Sequence, residues 1–330
     1  MKKYVVVGAF VFLLGLFFIL FPDLNSLTKR KPILKVAAYS SFLSYFGPAQ
    51  RLKELFEDQC QCQVEYINIG EVGLLEKRWR WQKEFFFDGF MGLDFLTASG
   101  IPLNRWKRFP IQLFETLQSQ VPWPLHQRFL PYDWAPLGFL YDKRQVKISP
   151  HTLEDLKPYK ISLPDPRTSG PGLQFLFWLF TKPFSIKDFL KNYKVSLAPS
   201  WSVAYGLFLK REVSVIFSYL TSVYAHWDKK EFYIRPFIFP QGHPVQVEFF
   251  VVSSLCRSCE LAFQWAAFLL TPEAQKILAQ KNYMLPVVKG VALKRQALPS
   301  WHPLPTFQLK NFIARKKEVL KEWSKALVSF

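Results

Sequence analysis

Residues 34–69 read LKVAAYSSFLSYFGPAQRLKELFEDQCQCQVEYINI, and this stretch indicates the fold class. The apolar run at residues 34–38 is typical of a buried strand, and residues 64–69 are a second strand candidate. Between them, residues 48–59 place apolar side chains on one face of a helix, namely Leu52, Leu55 and Phe56. A strand, a helix and a strand joined by short connections predict an α/β fold.

The rest of the chain continues this alternation of strand and helix patterns. We expect strands at residues 89–93, 138–141, 160–163, 214–218 and 245–252, and helices at residues 261–270 and 306–328. A further helix begins at Thr271-Pro272-Glu273, because Thr is a favoured cap, Pro suits the first turn and Glu faces the helix dipole. Neither an internal repeat nor a low-complexity linker interrupts the pattern, which favours one globular unit.

Composition excludes two classes of protein. At 330 residues, half of them apolar, the chain can bury one large core or two lobes and is not a disordered polymer. Lys and Arg total 43 against 25 acidic residues, a net charge of +18. The positive residues are scattered, with small clusters at residues 29–31 and 315–317, and no RNP-like string or Cys/His finger accompanies them. We therefore expect no nucleic-acid partner, but a solvated basic surface near acidic lipid or wall polymers.

The N-terminus has the pattern of an export segment. Lys2 and Lys3 precede an uncharged, mostly apolar run at residues 4–21 that reaches the length of a membrane-spanning helix. Because no small-x-small cleavage triplet and no acylatable Cys follows, residues 1–30 are predicted to be a signal peptide or, in preference, an uncleaved membrane anchor. Positive residues prefer the cytoplasmic side of a membrane, so those just beyond the run disfavour an anchor that leaves the rest of the chain outside the cytoplasm. A buried core helix is the alternative interpretation of the run.

The four cysteines form two close pairs, Cys60 with Cys62 and Cys256 with Cys259. An exported protein can form disulfides. The second pair has the spacing of redox and zinc sites, but no other Cys pair or His cluster lies at a metal-like spacing from it. We predict local disulfides or inert thiols, with no metal site, no catalytic residue and no cofactor.

Three blocks in the middle of the chain suggest ligand binding. Residues 165–172 read DPRTSGPG, residues 201–206 read WSVAYG and residues 218–222 read SYLTS. The first is a turn rich in Pro, Gly and hydroxyls that opens onto an apolar helix, so its free N–H groups would face an anion or a polar ligand edge. The other two add an aromatic plate and further hydroxyls. A tight helix entry is the alternative interpretation of the first block.

In their order and wording, these blocks resemble the thiamine-binding proteins of bacterial ABC importers, within the type II periplasmic binding proteins. The resemblance extends over roughly residues 34–327. The DPRTS and WSVAYGLFLK strings are specific to the thiamine branch, whereas TPEAQ at residues 271–275 is shared by many binding proteins. The resemblance implies a periplasmic solute-binding protein that captures thiamine or a thiamine phosphate and delivers it to an ABC permease. It implies no chemistry of its own, and attachment to the inner membrane if the N-terminal helix is retained.

The resemblance also implies a two-lobed fold with the ligand cleft between the lobes. We expect the chain to cross between lobes near residues 131–133 and 242–245. The first lobe would then hold residues 34–130 and 245–330, and the second residues 131–244. Such lobes close on a ligand by hinge motion.

Site residues are implied where the chain matches the family's cleft positions. Thiamine has an aminopyrimidine ring and a cationic thiazolium ring, which favour aromatic faces, and hydroxyls would bind its ring nitrogens or its tail. Because 18% of the chain is aromatic, each ring has packing in the core as its alternative role. The predicted ligand-binding set is Tyr39, Gly70, Glu71, Ser169, Gly170, Trp201, Tyr219, Leu220, Thr221, Ser222 and Tyr283.

Several positions depart from the family pattern. An Asp-Gly pair is replaced by Gly70-Glu71, so the acidic group is displaced by one residue. A Trp, a hydroxyl residue and a Thr of the family are replaced by Phe46, Gly170 and Leu220. The positive net charge adds a difficulty because thiamine is itself a cation. Screening limits this repulsion, and the pocket must supply its own negative or π-rich surface.

Two rival hypotheses remain open from the sequence. Ferric-binding relatives use paired tyrosines, for which Tyr219 and Tyr224 are candidates, although no carboxylate and His complement is arranged around them. Thiamine-degrading enzymes share the general fold and use a cysteine nucleophile, so a cysteine in the cleft would distinguish them.

Overall fold

The computed structural model describes residues 31–75, 86–118, 126–291, 293 and 295–328. Its first unit consists of β1 (Ile33–Ala38), α1 (Ala49–Cys60) and β2 (Gln63–Asn68). β1 and β2 pair in parallel, and α1 buries Leu52 and Phe56 against them. The helix ends at Gln61, whose φ of 53° lies in the left-handed region. The predicted strand, helix and strand are therefore confirmed.

The described residues contain a sheet of ten strands. The remaining strands are β3 (Gly89–Leu93), β4 (Leu130–Asp142), β5 (Lys160–Pro164), β6 (Lys194–Ala198), β7 (Val215–Tyr219), β8 (Ile234–Phe237), β9 (Val245–Val252) and β10 (Leu285–Pro286). Their order is β2-β1-β3-β9-β4-β7-β5-β6, and β8 and β10 also pair with β4. All the strands predicted from the sequence are present.

The long strand β4 connects the two halves of this order. Residues 130–136 pair antiparallel with β9, and residues 137–141 pair antiparallel with β7. Every residue of β4 is buried, which explains its Phe-, Leu- and Tyr-rich sequence. The predicted crossing near residues 131–133 lies in β4, and the other lies just before β9. The division into two lobes stays a prediction.

The helices cover the sheet. They are α2 (Phe95–Ala98), α3 (Gly170–Phe180), α4 (Ile186–Asn192), α5 (Trp201–Leu209), α6 (Val223–Trp227), α7 (Cys259–Leu269), α8 (Pro272–Ile277) and α9 (Thr306–Val328). α9 has the bounds predicted from its apolar pattern. The cap before α8 is also confirmed, since Thr271 Oγ1 accepts a hydrogen bond from the N–H of Ala274.

Most buried apolar side chains form one large core. The C-terminal helix α9 packs onto α3, with Trp323 and Phe312 in ring contact with Phe175 and Phe177. A smaller cluster fills the space between α5, β7 and α6, and includes Phe208, Leu220 and Trp227. This smaller cluster supports α5, which carries the second sequence block, and the end of β7 with its following turn, which carry the third.

Both cysteine pairs are disulfide-bonded, Cys60 with Cys62 and Cys256 with Cys259. The prediction of local disulfides is therefore confirmed. Within the described ranges, no helix has both the length and the apolarity needed to cross a membrane. The predicted signal peptide or anchor at residues 1–30 lies outside the described residues.

Candidate functional site

A cleft of about 630 Å³ brings together side chains from distant parts of the sequence. Its walls come from the loop between β1 and α1, the first turn of α3, α5, the end of β7, α6, β9 and residues 280–284. A volume of several hundred cubic ångströms suits a small organic molecule. Its apolar and aromatic wall with a few polar groups is typical of a ligand-binding site.

Seven of the eleven predicted residues line this cleft: Tyr39, Glu71, Gly170, Trp201, Tyr219, Ser222 and Tyr283. The other four are outside its lining. The Ser169 hydroxyl accepts from the N–H of Gly172 at 3.5 Å and caps α3. Leu220 and Thr221 are fully buried in the turn after β7. Gly70 has a φ of +72° and its carbonyl accepts from the N–H of Ser40.

The aromatic plate is built around Trp201, the first residue of α5. Ser200 caps this helix by accepting from the N–H of Val203 at 3.1 Å, which fixes where the helix begins. The Trp201 indole N–H donates to Ser218 Oγ at 2.9 Å. Its ring stacks on Tyr205 at 4.9 Å between centroids and meets the edge of Tyr219 at 6.0 Å. The plate is therefore held by both a hydrogen bond and ring packing.

A second layer holds Tyr205 in place. Its hydroxyl lies 2.9 Å from His226 Nε2, and His226 Nδ1 donates to Glu231 Oε2 at 2.6 Å. Burial raises the pKa of the Tyr205 phenol, so the hydroxyl is neutral at physiological pH. The sequence does not predict these hydrogen bonds between Tyr205, His226 and Glu231, because the three residues lie on α5, on α6 and after α6.

The lining of the cleft also contains a buried carboxylate, Glu248. Its Oε2 accepts from the hydroxyls of Tyr39 at 2.7 Å and Tyr132 at 2.6 Å. Its Oε1 accepts from Gln246 Nε2 at 3.0 Å and from the Tyr219 hydroxyl at 3.4 Å. Burial raises the pKa of Glu248, while the hydrogen bonds from Tyr132, Tyr39 and Gln246 oppose that rise.

A second buried carboxyl lies beside it. Asp133 stands directly opposite Glu248 in the register of β4 and β9. Asn282 Nδ2 donates to Asp133 Oδ2 at 2.8 Å and contacts the Tyr39 hydroxyl at 3.2 Å. Burial, and then the charge of Glu248, raise the pKa of Asp133 well above its usual value.

Glu71 supplies a third acidic group, at the cleft surface. It precedes a short turn of 3₁₀-helix at residues 72–74, and burial raises the pKa of its carboxyl to about 7. The displaced acidic residue thus still reaches the cleft.

Glu248 and Gln246 were not among the predicted site residues, although β9 contains a signal for them. The strand reads VQVEFFVV, and its side chains alternate between the faces of the sheet. Gln246 and Glu248 therefore share one face. A carboxylate within a fully buried apolar strand is rarely tolerated without a role.

The features required by the rival hypotheses are not found in this cleft. Tyr219 lines it, but Tyr224 lies in the smaller apolar cluster, beneath the guanidinium of Arg295. In the part of the chain that the structure describes, no group of three or more His, Cys, Asp or Glu side chains could hold a metal ion. All four cysteines are in disulfides and lie outside the lining.

Comparisons with known proteins agree with this geometry. The sequence matches the bacterial extracellular solute-binding protein family over residues 85–312. It is 30% identical to the thiamine-binding periplasmic protein of Salmonella typhimurium, with 90% of this chain and 94% of that one covered. The corresponding protein of Haemophilus influenzae is 31% identical, with 88% and 92% covered.

A solved structure described as a periplasmic thiamin binding protein superimposes with a TM-score of 0.75 at 26% identity, covering 90% of this chain and 96% of that one. An apolar and aromatic cleft of this size suits the capture of a small ligand. The chain is a member of the bacterial extracellular solute-binding protein family, and within it resembles the thiamine-binding periplasmic proteins. The resemblance and the α/β fold predicted from the sequence are confirmed, and this fold is consistent with that of type II periplasmic binding proteins.

Proposed function

We propose that this protein captures thiamine or a thiamine phosphate in the cleft and delivers it to an ABC permease. The observation that carries the proposal is the Trp201 plate, fixed by Ser218 and Tyr205, facing a cleft that also contains Glu248. A cation over a desolvated Trp or Tyr face gains on the order of 1–2 kcal/mol. The two rings of thiamine, one of them cationic, suit this combination of π-faces and negative charge.

Polar groups of the cleft can serve the rest of the ligand. Gln246 Oε1 is buried without a hydrogen-bond partner among the described residues and can accept from the amino group of the pyrimidine. Ser222 and the first turn of α3 at Gly170 also line the cleft and can donate to a hydroxyethyl tail or its phosphate. Lys229 and Lys281 add positive charge to the same lining.

The proposed location is the periplasm, with residues 1–30 acting as a signal peptide or as an anchor in the inner membrane. Support comes from the periplasmic relatives and from the apolar run at residues 4–21. The permease partner follows from the solute-binding family. No enzymatic activity is proposed, since the cleft lacks the cysteine that thiamine-degrading chemistry would use.

The alternative function is the capture of another ligand by the same fold. The substitutions at Phe46, Gly70, Gly170 and Leu220 change ligand contacts that are typical of the thiamine-binding proteins. Each lost contact could cost about 1 kcal/mol. At Gly170 the structure has room for a side chain, since an added Cβ would lie 3.7 Å from Gln246, an ordinary contact distance.

Calorimetric titration of the purified full chain with thiamine, thiamine monophosphate, thiamine diphosphate and ferric citrate tests the proposal. Submicromolar binding of any thiamine form supports it and ranks the esters. A folded protein that binds none of them, or binds only ferric ion, would contradict it.

A further inference from the structure

Glu248 has a position that ordinary fold stability does not explain. Its side chain is 2% exposed, yet it contributes to the lining of the cleft. No salt bridge joins it to Lys or Arg in the described part of the chain, where the ion pairs involve other carboxylates such as Asp142 and Asp165. A buried carboxylate without a cationic partner is costly, because burial removes its hydration.

The hydrogen bonds indicate that this carboxyl group is ionised. Four neutral donors converge on its two oxygens: the hydroxyls of Tyr39, Tyr132 and Tyr219 and the amide of Gln246. An ionised carboxylate accepts all four bonds, whereas a protonated one would have to use one of these groups as an acceptor. The Gln246 amide nitrogen cannot accept, and the hydroxyls of Tyr39 and Tyr219 already accept from Asn282 and Gln246. Burial raises the pKa of each of the three phenols, which keeps them protonated as donors.

Neighbouring acidic groups would normally oppose that charge. Asp133 faces Glu248 across the strand pair, and the negative charge of Asp94 also acts on it. Asp133 receives one hydrogen bond, from Asn282, against four for Glu248. The proton of this carboxyl pair therefore stays on Asp133, and Glu248 holds the negative charge.

We propose that Glu248 is the cation subsite of the cleft: its buried carboxylate is the counter-charge that selects a positively charged aromatic ligand over a neutral ligand of the same shape. This inference rests on the proposed function and assigns the charge selection to one residue. It explains how a protein of net charge +18 can hold a cation, since attraction in a desolvated cleft exceeds screened repulsion from distant lysines. The aromatic plate binds a flat ring and adds a cation–π contribution, and Glu248 supplies the larger part of the preference for charge.

The test compares thiamine with 3-deazathiamine, a neutral isostere in which carbon replaces the thiazolium nitrogen. Calorimetry on the full wild-type chain is expected to show a preference for thiamine of about tenfold or more. In Glu248→Gln, which keeps the shape of the side chain, the thiamine affinity is expected to fall by about that factor. The affinity for 3-deazathiamine should change less than about threefold, so most of the preference is lost.

Tyr132→Phe is the matched control. It removes one hydrogen bond to Glu248 Oε2 but leaves the charge, and Tyr132 does not line the cleft. This variant should retain most of the preference for thiamine. A purely structural role of Glu248 predicts instead that both variants weaken both compounds to the same extent.

The outcomes distinguish failure of the inference alone from failure of the proposed function. Equal weakening of both compounds in Glu248→Gln would overturn the inference while leaving thiamine binding in place. Wild-type protein with no preference between the compounds would also overturn it, and this result requires no variant to fold. Wild-type protein that binds neither compound would overturn the proposed function and the inference together.

Discussion

The two walls of the cleft are built in different ways. The aromatic wall, defined here by Trp201, Tyr205 and Tyr219, comes from nearby stretches of sequence on α5 and β7. The carboxylate wall, defined by Tyr39, Gln246 and Glu248, joins the loop after β1 to β9, and its Tyr39–Glu248 hydrogen bond spans 209 residues of sequence. One wall presents π-faces positioned by a local motif, and the other presents charge positioned by the sheet. We therefore assign general affinity for the ligand rings to the aromatic wall and charge selection to the carboxylate wall.

The largest expected effect comes from removing the aromatic plate. Trp201→Ala should weaken thiamine binding by at least about tenfold, because it deletes both the cation–π face and the ring that stacks on Tyr205. Isothermal titration measures the loss, and circular dichroism checks the fold. Trp301→Ala is the control, since Trp301 does not line the cleft. An unchanged affinity in Trp201→Ala would show that the aromatic plate does not contribute to thiamine binding.

A smaller effect is expected from pH, through Glu71 at the cleft surface. Its pKa of about 7 means that the carboxyl loses its proton as the pH rises through neutrality. The resulting negative charge attracts a cation, so thiamine affinity should rise about fivefold between pH 6 and pH 8. Titrations across this range should show the slope in wild type and lose it in Glu71→Gln. A slope that persists in the variant would show that Glu71 is not the source of the pH dependence.

The support behind the plate should contribute less than the plate itself. Tyr205→Phe keeps the stacked ring but removes the hydroxyl that contacts His226 at 2.9 Å. Thiamine affinity is expected to fall about threefold, the scale of one net hydrogen bond. Tyr193→Phe, outside the cleft, should leave binding unchanged. A loss in Tyr205→Phe as large as that in Trp201→Ala would mean that the hydroxyl chain, and not the ring, is the main determinant.

The smallest expected effect concerns the choice between thiamine and its esters. Lys229 and Lys281 line the cleft with exposed side chains, so their charges are well screened. The double variant Lys229→Ala/Lys281→Ala should bind thiamine diphosphate about threefold more weakly and thiamine with unchanged affinity. Titration with both ligands gives this ratio directly. Equal changes in affinity for the two ligands would show that the lysines do not interact with the phosphate groups.

The sequence predicts the fold and the aromatic wall well, for physical reasons. Strand and helix patterns are local, so the bounds of β1, β3, β9 and α9 follow from apolar periodicity. Trp201 and Tyr219 were identified because their motif lies within about twenty residues of chain, and the structure brings them to one wall.

The carboxylate wall could not be found in the same way. Which strands lie beside β9 depends on the sheet order, and that order alone brings Tyr39 and Tyr132 to Glu248. The sequence also does not show which residues of a motif face the ligand. Ser169 belongs to a predicted motif but caps α3, and Thr221 belongs to another but is buried after β7. A residue within a binding motif can serve the backbone of the motif and not its ligand.

The most direct test of the account is a crystal structure of the full chain with thiamine bound. We expect the ligand between the two walls, with a ring on the face of Trp201 or Tyr219 and the thiazolium nitrogen turned toward Glu248. Thiamine bound outside this cleft, or within it with the cationic ring turned away from Glu248 toward Lys229 and Lys281, would contradict it.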